Sequence, residues 1–379
     1  MGERTAGQEA ARKFTGAGVL FALAGLLLFG YFVWKTGTAE VWEKMRALGT
    51  GFLLIMLVSA ARPLVRSLAW TRCFEAPHSL RLRDALSAYL VGDALGNLMP
   101  LGIVVSEPAK AAFARDRVPL VAAASALAVE NLFYMLSVAL FIFAGTGALL
   151  FSFDLPPKLR AVSVATLCGV FVVVLLGWLI VRLRWKLLSR MIEFFAARGV
   201  GRGFAQRRGI RFGALEDRVY GFYERHRARF VPILLLESLF HLAGVAEVYV
   251  TLYFMLKTPP AFLDLALASF VLESVNRVIN VVFKFVPMRF GIDEAGTGTF
   301  TKLLGLGKDS GVALAIVRKA RVVVWTAVGV ALLVRRGLTV RGAAREAQDA
   351  ARDVTEGRRK AAGEARAGVG DEPAAARHT

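Results

Sequence analysis

Six runs of roughly 20 apolar residues dominate the chain: Gly16–Trp34, Gly51–Ala69, Pro119–Phe143, Val162–Val181, Val231–Leu256 and Ser310–Val334. A helix of about 20 residues rises about 30 Å, the thickness of a bilayer's hydrocarbon core. Lipid offers no partner for backbone N–H and C=O groups, so a spanning segment must satisfy them within itself, and runs of this length predict helices. No strand-like alternation competes with that reading. Hydrophobic residues reach 56% of 379 positions, against roughly 45–50% in soluble domains. The expected fold class is an all-α polytopic membrane protein, and a soluble enzyme is excluded.

The first run resembles a signal peptide in position only. Tyr31-Phe32-Val33-Trp34 stands where a small-residue cleavage site belongs, so the run reads as a retained span. Cys73 and Cys168 are too few for a disulfide framework and leave the redox compartment open.

The net charge is +19, and its placement predicts topology. Residues 182–230 carry 13 Lys/Arg against 4 acids, and the tail from Arg335 carries 10 more. Positive loops stay cytoplasmic, so both segments are expected inside the cell (inner) membrane. Nucleic-acid binding is set aside because these charges flank spans and form no separate domain. Leu215, Val219 and Phe222 recur at helical spacing beside Arg211, Arg218 and Arg225, which fits an interfacial helix on anionic lipid or a solvated basic linker. Parity then requires the stretch 264–304 to cross zero or two times. It breaks at Pro287, and the stretch 84–116 breaks likewise at Pro100. Both read as re-entrant hairpins. The expected organisation is a cytoplasmic tail (1–15), a first membrane half (16–181), a basic cytoplasmic or interfacial linker (182–230), a second membrane half (231–334) and a disordered basic cytoplasmic tail (335–379).

Placing Pro100 on Pro287, an offset of 187 residues, sets Glu107 on Glu294, Asp93 on Asn280 and Asn97 on Lys284. Each half then runs span, polar-faced helix, Pro-Gly break, glutamate-bearing short helix, span. With the charge-derived topology this predicts an inverted-topology repeat, an architecture common among secondary transporters.

Ionisable groups at membrane depth cost roughly 2.5–3.5 kcal/mol each on insertion scales and therefore mark sites or ion pairs. Glu273, Arg277, Asn280 and Lys284 form one helical stripe, with Asp93 and Asn97 as its shorter counterpart. The stripe is either a cavity wall or an ion-pair network locking the fold. Arg62 and Arg66 share one face, as do Arg318 and Arg321; they suit an anionic headgroup or snorkel to the interface. Glu130 could meet a cation, carry a proton or pair with an arginine from another span. At the hairpin tips, Ser106-Glu107-Pro108 reads as a helix start with Ser106 as N-cap, and Gly291-Ile292-Asp293-Glu294 as another. The glutamates there either cap the helix or act in proton or headgroup contact. Gly305-Leu-Gly-Lys-Asp-Ser lacks the upstream glycine of a phosphate-binding loop. Glu237 and His241 share a helix face, yet four histidines with no carboxylate cluster make a metal site unexpected. No cofactor and no nucleophile–base set is expected.

The segment from Asn97 to Lys110, NLMPLGIVVSEPAK, resembles the "N-x-x-P…G-E" signature of the lysylphosphatidylglycerol synthase transmembrane region, the flippase-like domain family. Val286–Gly296, followed by Leu303-Leu-Gly-Leu, resembles its second signature, "P-x-x-x-G-x-x-E-A". Three departures stand out: Lys110 where Arg is usual, Asn131 in place of an Arg after Glu130, and Arg289-Phe290 in place of Gly-Gly. The resemblance implies a membrane domain that moves lipids between leaflets, or a non-transporting partner of an enzyme in a hopanoid, glycolipid or aminoacyl-lipid pathway. The polar tail after Val334 is too poor in apolar residues to fold as a transferase domain, so synthase activity is not expected. A membrane-embedded lipid phosphate transferase is the enzymatic alternative. The leading expectation is a flippase-like transporter with a central polar cavity for an anionic lipid. Arg62, Arg277, Lys284, Arg289 and Arg321 would hold the headgroup, Asp93, Asn97, Lys110, Glu130, Glu273, Asn280 and Arg318 would line the site, and Glu107 and Glu294 would mark the hairpin tips. Expected partners are membrane lipids, a cytoplasmic lipid-modifying enzyme and further copies of the chain.

Overall fold

A computed structural model describes residues 38–99, 102–182, 221, 225–283, 289 and 291–336. The first apolar run, Leu215, Val219 and Phe222 of the interfacial segment, Pro100, Pro287, Lys284 and residues 337–379 lie outside the described residues.

Ten helices and no strand occur among the described residues: α1 Thr38–Leu48, α2 Gly51–Arg72, α3 Leu82–Leu98, α4 Gly102–Phe113, α5 Leu120–Ser152, α6 Pro157–Arg182, α7 Arg227–Met255, α8 Phe262–Val282, α9 Ile292–Leu303 and α10 Lys308–Arg335. Five of them (α2, α5, α6 through Gly177, α7 and α8) are long and apolar enough to cross a membrane. Four coincide with expected spans. The fifth, α8, was expected as one short arm of a hairpin. Its 21 residues rise about 31 Å because no Gly or Pro interrupts them. The last apolar run forms α10 as expected, but Arg318, Lys319 and Arg321 in its middle leave it less apolar than the other five.

Burial separates centre from periphery. In α8, 56% of the apolar window is buried, against 6% in α6, whose leucines, valines and Phe171 face outward as lipid-facing residues must.

Contacts at the helix ends fix their directions. At one end, Arg225 meets Glu75 at 3.0 Å and Arg229 donates to the Phe74 carbonyl at 3.0 Å, joining the exit of α2 to the entry of α7. Arg117 and Asp84 (3.7 Å) bring the outer ends of α3 and α4 to this same end. Arg336 adds the exit of α10, donating to the Phe113 carbonyl at 3.1 Å. At the other end, Lys257 meets Glu43 at 2.9 Å and Lys44 meets Asp309 at 3.5 Å. Tyr249 packs on Phe262 there, where α8 begins. The α3–α4 pair therefore leaves from and returns to one end, and the α8–α9 pair does so at the other.

Small residues permit the close packing. A β-carbon at Gly102 would collide with the Gly96 backbone, so α4 starts against α3 at Gly102. The helix thus begins four residues before Ser106, which is no N-cap: its hydroxyl reaches Asp93 at 3.4 Å, and Pro108 lies inside the helix. The second helix start falls where the sequence places it. Gly291 (φ 78°) precedes α9, and its N–H donates to Glu294 Oε2 at 2.6 Å.

Candidate functional site

The buried faces of α2, α5, α7, α8 and α10 converge on three groups of charged side chains. In the first, Glu273 on α8 is fully buried and binds Arg277 one turn on, Arg318 of α10 at 3.0 Å and Arg62 of α2 at 3.9 Å. Glu247 on α7 binds Arg62 at 3.3 Å and Arg321 of α10 at 2.8 Å. Four guanidinium groups thus surround two carboxylates. Phe240 packs under Arg62 and Arg277, with ring centroids 4.5 and 5.0 Å away. Gly244 makes room: a β-carbon there would stand 2.5 Å from Glu273 Oε1.

The second group centres on Arg66, one turn beyond Arg62 on α2. Its guanidinium binds Glu130 of α5 at 2.6 Å, lies 3.6 Å from Glu237 of α7, and donates to Asn131 at 3.1 Å. Tyr134 covers its face at 3.8 Å. Lys110, fully buried on α4, sits 3.0 Å from both Asp93 and Glu107 and above the Tyr89 ring. Asn131 ties the two parts together by donating to Glu107 at 2.8 Å.

The third group lies at the start of α9. Lys319 of α10 binds Glu294 at 2.7 Å and Asp293 at 3.3 Å, and Arg289 binds Asp293 at 3.2 Å. Arg289 has φ 47°, a left-handed backbone that favours glycine. This is the stretch where the resemblance leads one to expect Gly-Gly.

The expected site residues therefore divide. Arg62, Glu273, Arg277, Arg318 and Arg321 meet in one group. Asp93, Glu107, Lys110 and Glu130 meet in the second, and Arg289 and Glu294 in the third. Asn97 donates to Thr326 at 3.0 Å, and Asn280 donates to the Asn276 carbonyl at 2.7 Å, so neither joins a charged group. The Glu273–Arg277 pair expected from sequence is present, embedded in a larger network. Arg66 and Arg318 do not snorkel: both are buried and ion-paired within the bundle. Of the three readings of Glu130, the structure shows the pairing with an arginine from another helix. Among the described residues one cavity lies between the ends of α2 and α7, lined by Thr71, Phe74, Pro77, Arg229 and Pro232.

Sequence reasoning missed Glu247, Lys319 and Gly244. Glu247 interrupts an apolar run one α7 face along from Glu237, Phe240, His241 and Gly244, and an acid inside a span was itself the signal. His241, on the same helix face as Glu237, stacks on Phe141 and shares a hydrogen bond with Ser137 at 3.1 Å.

Spanning helices around an ion-paired interior define a polytopic helical membrane protein. The chain belongs to the family described as the lysylphosphatidylglycerol synthase TM region, which matches residues 17–332. No curated protein and no solved structure matches it.

Proposed function

We propose that this protein is a flippase-like transporter that moves an anionic lipid between leaflets, with its headgroup held at Arg62, Arg277, Arg318 and Arg321. The observation that carries this reading is the charge balance of the first group, four arginines on two glutamates. A surplus of cations in a low-dielectric interior favours occupation by an anion, and guanidinium forks match phosphate oxygens. The end-to-end arrangement supports two re-entrant hairpins in an inverted repeat. Under the 187-residue offset α2, α3, α4 and α5 fall on α7, α8, α9 and α10. Packing follows the same exchange: α3 on α10 mirrors α8 on α5, and α2 on α3 mirrors α7 on α8. Glu107 takes a hydrogen bond from Asn131 of α5, and Glu294 takes one from Lys319 of α10, one residue past the position that the offset gives. By the charge bias, the end bearing Arg72 and Arg225 is cytoplasmic. The ion pairs would open in turn on either side to admit a headgroup. The chain itself would catalyse no transfer.

Reconstitution in vesicles tests this. Labelled anionic phospholipid should change leaflets faster than a zwitterionic one, and Arg318→Gln should slow it. Exchange no faster than in protein-free vesicles, with a lipid-modifying enzyme co-purifying, would replace transport by a scaffolding role.

A further inference from the structure

Glu237 is buried to 0% exposure, and neither of its carboxyl oxygens has a hydrogen-bond donor; the same holds for Glu130 Oε2. Both carboxyl groups rest on one guanidinium, that of Arg66, at 2.6 Å from Glu130 and 3.6 Å from Glu237. Arg66 also donates to Asn131, so its capacity is divided. Two adjacent carboxylates facing one cation in hydrocarbon do not both ionise.

We propose that Glu130 and Glu237 hold one proton between them, forming a proton-binding site inside the membrane on the guanidinium of Arg66. The protonated carboxyl donates the hydrogen bond that Glu237 otherwise lacks, and the remaining negative charge pairs with Arg66. Proton uptake by the second carboxylate is the whole reaction; no bond between heavy atoms changes.

The neighbours do not supply a second free cation. Lys110 of α4 stands near the pair, but its ammonium is 3.0 Å from both Asp93 and Glu107 and is shared with those two carboxylates. Tyr89 from α3 and Tyr134 from α5 present ring faces to Arg66 and supply no cation. Cys73 at the end of α2 is a free, buried thiol that supplies no cation, and His241 on α7 is engaged with Ser137. Asp93 and Glu107 have side chains 45% and 35% exposed, and Asn131 links Glu107 to Arg66. The site is thus buried yet next to a partly exposed carboxyl pair.

Infrared spectroscopy of the full-length protein in detergent at neutral pH tests this, and needs no transport activity. A carbonyl stretch of a protonated carboxyl, shifted in heavy water, should appear in the wild type. It should vanish in Glu237→Gln and equally in Glu130→Gln, because either amide substitutes for the neutral partner and leaves the other glutamate ionised on Arg66. Both variants should melt with the wild type. Absence of the band in the wild type overturns the proposal, as does its survival in either variant. Should one substitution not yield folded protein, the other carries the same assignment.

Discussion

Arg62 and Arg66 lie one turn apart on the same face of α2, yet they sit in opposite electrostatic surroundings. Around Arg62, four arginines share Glu247 and Glu273. Around Arg66 and Lys110, two cations face Glu130, Glu237, Glu107 and Asp93. The first surplus is positive and the second negative, the latter reduced by one when Glu130 and Glu237 share a proton, so charge is segregated across the interior and not simply excessive. The difference teaches that an arginine within the membrane has no fixed role. What the neighbouring helices bring decides whether its surroundings favour an anion or a proton.

The comparison breaks most readily at Glu273. Glu273→Ala would strip Arg277, Arg318 and Arg62 of a shared carboxylate and should cost about 3–5 kcal/mol, the usual penalty for orphaning a buried charge. Thermal unfolding in detergent, followed by loss of the monodisperse species, measures it. Arg66→Ala should cost less, about 1–3 kcal/mol, since both glutamates can then take up protons and lose only their hydrogen bonds. Unfolding at rising pH would sharpen the contrast, the Arg66→Ala deficit growing as the carboxyls are forced to ionise. Arg321→Gln removes surplus positive charge and should leave folding nearly unchanged. It should weaken anionic-lipid exchange by about tenfold, the worth of one charged hydrogen bond of about 1.4 kcal/mol. Glu237→Gln should shift stability by no more than about 0.5 kcal/mol, against the large loss at Glu273.

The smallest effect belongs outside the membrane. Lys257 donates to Glu43 at 2.9 Å in water and holds that carboxyl below its usual value. The pair is therefore complete at neutral pH and is lost only as pH falls through the depressed value. Solvent screens it, so Glu43→Gln should leave the melting temperature unchanged.

Much of the helical layout is readable from residues because membrane helices must satisfy their own backbones, so apolar length alone predicts α2, α5, α6 and α7. The α3–α4 hairpin is readable from Pro100 and its flanking glycines. What escapes is tertiary. Ser106 looks like a cap until Gly96 is seen to admit α4 four residues earlier. Arg62 and Glu247 are 185 residues apart, and no local pattern announces that α2 and α7 place them together. Single-helix stripes such as Glu273–Arg277 are legible; the arrival of Arg318 from α10 on the same carboxylate is not.

The cation-rich half should keep a ligand that the carboxylate-rich half does not need. Native mass spectrometry of protein extracted mildly from its membrane measures this directly. The account predicts a bound anionic lipid on the wild type and on Glu237→Gln, lost from the double variant Arg318→Gln with Arg321→Gln. Equal retention of that lipid by the double variant, or a wild type carrying only zwitterionic lipid, would contradict it.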